Sequence, residues 1–348
     1  MKNRIFYFDE LRALAILLVI LIHVSKWFAE VEPIHSFFWC VTTAFCSLGN
    51  MGVPLFLMIS GALLLNRKHE FKSFFKRRFS RIFIPFCFWI VFIMLFKVLV
   101  MDHGYGIEDI ISMIFYEGFV WFIWALFGIY LFYPIINSYV REYSIRGCEY
   151  YLIIWFATLA LYTIKCFPIK NVELGYFAGF LGFFVWGYYL SNNEFKLNDK
   201  TMIMVGLLIF LISFLGYNYC FYYQIDLQNN YLTIFPMLEA TGIYLMVKYV
   251  ADYSENHNNE SILTRFYYYL KDSWIGKIIV SISVCSYGIY FTHYFPIWIV
   301  QKIDMVTPIF LRNPFKWVPF IFLISICFSW GLIYILSRTP YLKKVCGV

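Results

Sequence analysis

The chain is poor in charge. Only 14% of its 348 residues are Asp, Glu, Lys or Arg, against about 25% in soluble domains. That scarcity excludes an ordinary water-soluble globule. Paired cysteines are missing too. The nine cysteines, among them Cys40, Cys87, Cys285 and Cys327, are scattered through apolar stretches with no C-x-x-C pair. Neither a metal site nor a disulfide framework follows from such a pattern. No A-x-A-like site follows the first apolar run, so that run is expected to stay as a span. No polar stretch is long enough for a separate catalytic domain, and no strong internal repeat of the transporter kind is visible.

What fills the chain is apolar: 61% of residues are hydrophobic and 23% aromatic. This composition predicts an all-α polytopic membrane protein, a single domain over 1–348. Ten segments are long enough to cross about 30 Å of hydrocarbon. They are placed near 11–29, 37–65, 80–101, 119–139, 150–167, 174–191, 202–219, 230–250, 275–300 and 316–336. The net charge of +7 is explained by basic loops and does not call for nucleic acid. Lys2 and Arg4, the loop NRKHEFKSFFKRRFSR, Arg141 and Arg146, the group Lys248, Arg265, Lys271 and Lys277, and the tail SRTPYLKKVCGV all fall on one side if ten spans alternate. Lys165, Lys170, Lys302, Arg312 and Lys316 dissent and are outnumbered. Both termini are therefore expected in the cytoplasm.

The first span, DELRALAILLVILIHVSKWF, carries Asp9 and Arg12 at its start and His23 well inside it. Eleven residues separate Arg12 from His23, about 1100° of helix at about 100° per residue, so both point along one face. At about 1.5 Å per residue His23 lies roughly 16 Å deeper. Ionisable groups inside a span are functional candidates. His293 is the other histidine inside a span, and Ser286, Tyr290 and His293 share a face at spacings of four and three. A hydrogen bond across the bundle is the plainer reading for either histidine.

In the second span Gly49, Gly52 and Pro54 interrupt the helix, since Pro54 lacks the N–H that would bond the Asn50 carbonyl. Ser60 lies further along. Arg78 and Arg81, three apart, share a face ahead of Pro85. Arginine forks suit phosphate oxygens, although basic anchoring at the inner membrane face also accounts for them. With Arg12 on the same side, the set fits an anionic, phosphate-bearing cytosolic molecule. Glu239 is a carboxylate deep in the eighth span, without an assigned role. Trp121 and Trp124 read as interface belt and core.

Six features resemble the acyltransferase-3 family of integral membrane acyltransferases, in order along nearly the whole chain. They are the R-x10-H spacing from Arg12 to His23, NMGVPLFLMISGALLL, the Arg78–Arg81 pair ahead of Pro85, VWFIWALFGIYLFYPII, GFLGFFVWGYYLS and SYGIYFTHYFPIW. Short members without a soluble domain, of the enterobacterial common antigen O-acetyltransferase type, are nearest in layout. Many members have a histidine where this chain has Phe119, so no role of that histidine carries over.

The resemblance implies a multi-pass protein of the cell (inner) membrane that O-acylates an envelope glycan or lipid-linked saccharide. It implies acyl-CoA, usually acetyl-CoA, as donor substrate, with no bound cofactor and no metal. The partners it implies are acyl-CoA, the glycan or lipid-linked saccharide and membrane lipids, and not nucleic acid. In this reading His23 is the general base or carries the acyl group as an acyl-imidazole. Arg12, Arg78 and Arg81 hold the phosphates, and Asp9 pairs with Arg12. Ser60, Ser286, Tyr290 and His293 are orienting or acceptor contacts. A transporter or flippase of an envelope precursor is the rival reading, since a broken helix and buried titratable groups also suit a carrier.

Overall fold

The computed structural model describes residues 4–68, 70–101, 106–115, 118, 120–164, 179–225, 231–256, 261–307, 309–311 and 313–347. Among these the chain is helical without strands. The helices are α1 (Phe6–Ala29), α2 (Phe37–Asn50), α3 (Gly52–Leu64), α4 (Phe71–Met101), α5 (Ile107–Phe115), α6 (Trp121–Ile164), α7 (Leu181–Asn192), α8 (Asp199–Tyr222), α9 (Ile234–Asn256), α10 (Ile262–Asp272), α11 (Trp274–Thr292), α12 (Tyr294–Val306) and α13 (Pro314–Ser337). Short polar side chains start several of them. Ser36, Asn198, Ser261, Ser273 and Asn313 each accept a backbone N–H of the first turn, satisfying donors that have no helical partner.

Among the described residues eight helices are long and apolar enough to cross a membrane, against the ten spans expected. The difference has two physical causes. First, α6 is two helices joined at Ser144, whose φ of 52° and ψ of −139° are not helical. At one end Trp121 stacks on Tyr231, 4.8 Å between ring centroids. At the other, Thr163 Oγ1 accepts the Ile234 N–H at 3.0 Å. Both ends therefore meet the start of α9, so the chain turns back at Ser144 and passes twice. Second, the described part of α7 is short, and most of the preceding segment lies outside the described residues.

The helix α1 is the hub, packing on α2, α3, α9, α11 and α13. Peripheral α8 turns Met204, Leu208, Ile212 and Leu215 outward, with Ile212 69% exposed. These positions recur at helical spacing and make a greasy stripe suited to hydrocarbon. Between α3 and α7 the backbones touch. A Cβ on Gly187 would stand 1.9 Å from the Met58 carbonyl oxygen, and one on Gly61 1.6 Å from that of Phe184. Small residues permit this close approach.

Two breaks shape the interior. The second span divides at Met51, between α2 and α3, beside Pro54 as its sequence suggests. The expected ninth span, 275–300, is not continuous. It divides at His293, which ends α11 and begins α12. Pro296 follows three residues on and has no N–H to return to Thr292.

Candidate active site

A cavity of about 600 Å³ opens at the end of the bundle that holds Arg4 and the start of α4. Its mouth is basic. Arg4 and Arg12 come from the start of the chain and α1, and Arg78 and Arg81 from α4. The three-residue spacing on α4 puts the latter pair on one face, toward Arg12. Four arginines meet a single carboxylate, Asp9, and that carboxylate is engaged. Arg4 donates Nη2–H to Asp9 Oδ1 at 2.7 Å and Nε–H to Oδ2. Ser283 Oγ–H donates to Asp9 Oδ1 at 2.6 Å.

The expected Asp9–Arg12 pair is thus replaced by Asp9–Arg4. Arg4 approaches from the extended segment ahead of α1, whereas Arg12 is one helical turn on and faces the cavity. Bonding to Asp9 raises the Arg4 guanidinium above its ordinary value. Among the described residues no carboxylate lies within ion-pair distance of Arg12, Arg78 or Arg81. The mouth therefore keeps three guanidiniums for an anion.

Further in, Ser60, Tyr130, Ser286 and Tyr290 line the wall. Ser60 Oγ–H is committed to the Phe56 carbonyl at 2.8 Å, which leaves its lone pairs to accept. Phe56, Phe122 and Leu126 make the deep part apolar. Phe122 and Tyr290 lie 5.5 Å apart. The tail also enters: a 3₁₀ turn over Lys343–Cys346 is tied down where Trp89 Nε1–H donates to the Val345 carbonyl at 2.9 Å. Arg81 Nε–H reaches the Gly347 carbonyl at 3.4 Å.

The two histidines do not line this cavity; they lie behind Tyr290. Its ring is 6.1 Å from that of His293, and the His23 and His293 rings are 5.3 Å apart. Arg12 and His23 stand on one side of α1, but the wall between them includes the Phe122–Tyr290 pair. The Tyr294 hydroxyl lies 2.9 Å from His23 Nδ1 and 3.1 Å from Nε2. The His293 Nδ1–H donates to the Ile289 carbonyl at 3.2 Å. The break at His293 makes this possible, because a straight helix would carry Tyr294 away from His23.

Glu239 is elsewhere. Its Oε1 accepts from Ser47 at 3.0 Å, and Oε2 has no partner among the described residues. Trp121 and Trp124 sit in aromatic packing, the latter donating to the Ile114 carbonyl. Phe119 lies outside the described residues. Among those described, no cluster of three His, Cys, Asp or Glu side chains suits a metal ion.

Sequence reasoning missed Arg4, Ser283, Tyr130 and Tyr294. Ser283 was within reach, since it extends the Ser286–Tyr290–His293 stripe back by three residues. Tyr130 and Tyr294 carried no separate signal among so many aromatics.

No curated protein and no solved structure matches the chain. The acyltransferase-3 family model, described as an acyltransferase domain, matches residues 5–334. That stretch runs from the segment ahead of α1 into α13 and takes in Arg12, Arg78, Arg81 and both histidines. On a match of that extent, the chain belongs to the acyltransferase-3 family.

Proposed function

We propose that this membrane acyltransferase moves an acyl group, in the first instance acetyl, from acyl-CoA to a hydroxyl of an envelope glycan or lipid-linked saccharide. The observation that carries the reading is the order of groups along α1. Three guanidiniums without carboxylate partners stand at the mouth, and a histidine held by a tyrosine lies roughly 16 Å further along. A donor with phosphates at one end and a thioester at the other end of a slender arm fits that separation. Arg12, Arg78 and Arg81 bind the phosphates by charge-assisted hydrogen bonds. The apolar run past Phe122 takes the arm, and a shift of the Phe122–Tyr290 pair admits the thioester to His23.

His23 then acts at the thioester, either as general base toward the hydroxyl or as the nucleophile that carries the acyl group. Ser60, Ser286 and Tyr290 orient the donor from the wall. The mouth faces the cytosol, where acyl-CoA is found, and the cell membrane is the site of action.

The test is made on purified protein in detergent, with acetyl-CoA as donor, octyl β-D-glucopyranoside as the hydroxyl acceptor, and free thiol followed. Wild type releases thiol. His23→Ala and His23→Gln should each lose at least about 10²-fold in rate, the low end for a general base, while remaining folded. Glutamine keeps a hydrogen bond to Tyr294 but takes no proton. Normal thiol release by His23→Gln ends the assignment, and no release by wild type favours a carrier.

A further inference from the structure

His293 is fully buried, and its two ring nitrogens are in different states. Nδ1 lies 3.2 Å from the Ile289 carbonyl oxygen. A carbonyl only accepts, so Nδ1 carries the proton. In the neutral ring Nε2 then holds a lone pair, and it has no hydrogen-bond partner among the described residues. Buried acceptors of this kind are rare in folded proteins. His23 does not supply the partner. Its ring is 5.3 Å away between centroids, and its own nitrogens face the Tyr294 hydroxyl.

The surroundings restrict what can supply it. The rings of His23, Tyr290 and Tyr294 enclose the site at 5.3, 6.1 and 4.4 Å from that of His293. A ligand must present a proton donor to Nε2. An ammonium would bring a charge, and Lys26, on the same stretch of α1 as His23, already pairs with Glu30. A neutral hydroxyl satisfies the nitrogen without a counter-charge, and a sugar stacks well on aromatic faces.

We infer that His293 Nε2 is the docking point of the acceptor's hydroxyl and the base that takes its proton. This rests on the acyltransferase reading above, in the form in which His23 is the nucleophile that carries the acyl group. The hydroxyl oxygen bonds to the acyl carbon while its proton passes to Nε2. The bond from the acyl carbon to the acylated His23 nitrogen, the carrier, breaks with its electron pair leaving on that nitrogen. The imidazolium formed keeps its Nδ1–H on the Ile289 carbonyl, and the Nε2 proton is then passed to the departing carrier.

The test uses two nucleophiles with detergent-purified full chain and acetyl-CoA. Octyl β-D-glucopyranoside offers sugar hydroxyls that need a base; hydroxylamine attacks thioesters and acyl-imidazoles without one. Sugar ester and hydroxamate are measured separately, with the uncatalysed hydroxamate subtracted. His293→Gln places an amide oxygen near the Nε2 position. It should keep hydroxamate formation near the wild-type rate and lose sugar ester by at least about 10²-fold in kcat, with KM for the glucoside little changed. His293→Ala should raise that KM as well, and added imidazole should restore part of its ester formation. Equal loss of hydroxamate and ester in His293→Gln overturns the inference, because the residue then serves the donor side or the fold. Ester formation by His293→Gln at the wild-type rate also overturns it. Wild type that makes hydroxamate but no glucoside ester counts against a sugar hydroxyl at Nε2. Wild type that makes neither defeats the acyltransferase reading instead.

Discussion

The Tyr294 hydroxyl sits 2.9 Å from Nδ1 and 3.1 Å from Nε2 of His23, joining the first residue of α12 to the deep part of α1. The hydroxyl can serve either nitrogen, donating to a bare one or accepting from a protonated one. Tyr294 is thereby placed to hold the His23 ring. Tyr294→Phe keeps the stacking on Trp298, 5.2 Å between centroids, and removes only the oxygen. A hydrogen bond is worth about 1 kcal/mol net, so kcat should fall by about fivefold with KM for acetyl-CoA unchanged. A fall in melting temperature at unchanged kcat would make Tyr294 a packing residue.

At the mouth, Arg78→Ala and Arg81→Ala should weaken acetyl-CoA use mainly through KM. Charge-assisted hydrogen bonds contribute about 1.5–3 kcal/mol each, which is roughly 10–150-fold. Arg→Lys should rescue in part, since the planar fork is lost. Full rescue by lysine would make the pair a topological anchor. Arg81 should show the smaller loss, because it already shares its Nε–H with the Gly347 carbonyl.

The α3–α7 contact predicts a packing failure. Gly187→Ala drives a Cβ to within 1.9 Å of the Met58 carbonyl oxygen, and that backbone atom cannot swing aside. Overpacking of this kind costs about 1–3 kcal/mol or more. The melting temperature in detergent should drop clearly. Gly128→Ala, where a Cβ meets nothing within 4 Å, should leave it unchanged.

Cys346 reports whether the tail is docked. Burial pushes its thiol from 9.0 up to about 11. The folded state therefore holds the proton more tightly than the undocked one. Docking is favoured fully below pH about 9, and that contribution declines as pH rises toward about 11. Maleimide labelling of Cys346 should be slow at neutral pH and should accelerate in Trp89→Phe, which releases the Val345 carbonyl. Equal labelling rates in the two proteins would mean that the Trp89 bond does not hold the tail.

Orientation is checked by cysteine scanning in intact cells. Val31→Cys, in the loop after α1, should react with an impermeant maleimide, and Lys72→Cys, at the start of α4, should not. The reverse pattern would put the arginines on the wrong side of the membrane for acyl-CoA.

Composition and apolar run length suffice for the helical membrane class. Long apolar runs in a chain with little charge cannot leave backbone groups unpaired in hydrocarbon, so helices are required. Spacing likewise suffices for the Arg12–His23 stripe and the Arg78–Arg81 face, because helical periodicity converts it into direction. The break beside Pro54 was legible for the same local reason: proline removes a specific hydrogen bond. Partners across the bundle emerge only from how the helices pack. Asp9 lies three residues from Arg12, yet its partners are Arg4 and Ser283, the latter more than 270 residues away. The reversal at Ser144 falls between the expected spans 119–139 and 150–167, and only the exact residue was not legible, because no turn signature separates it from its neighbours. The break at His293 sets the ring of one histidine beside the other, while Phe122 and Tyr290 stand between both and the cavity. These features depend on which helix faces pack together, and period and composition in a single chain carry no record of that choice.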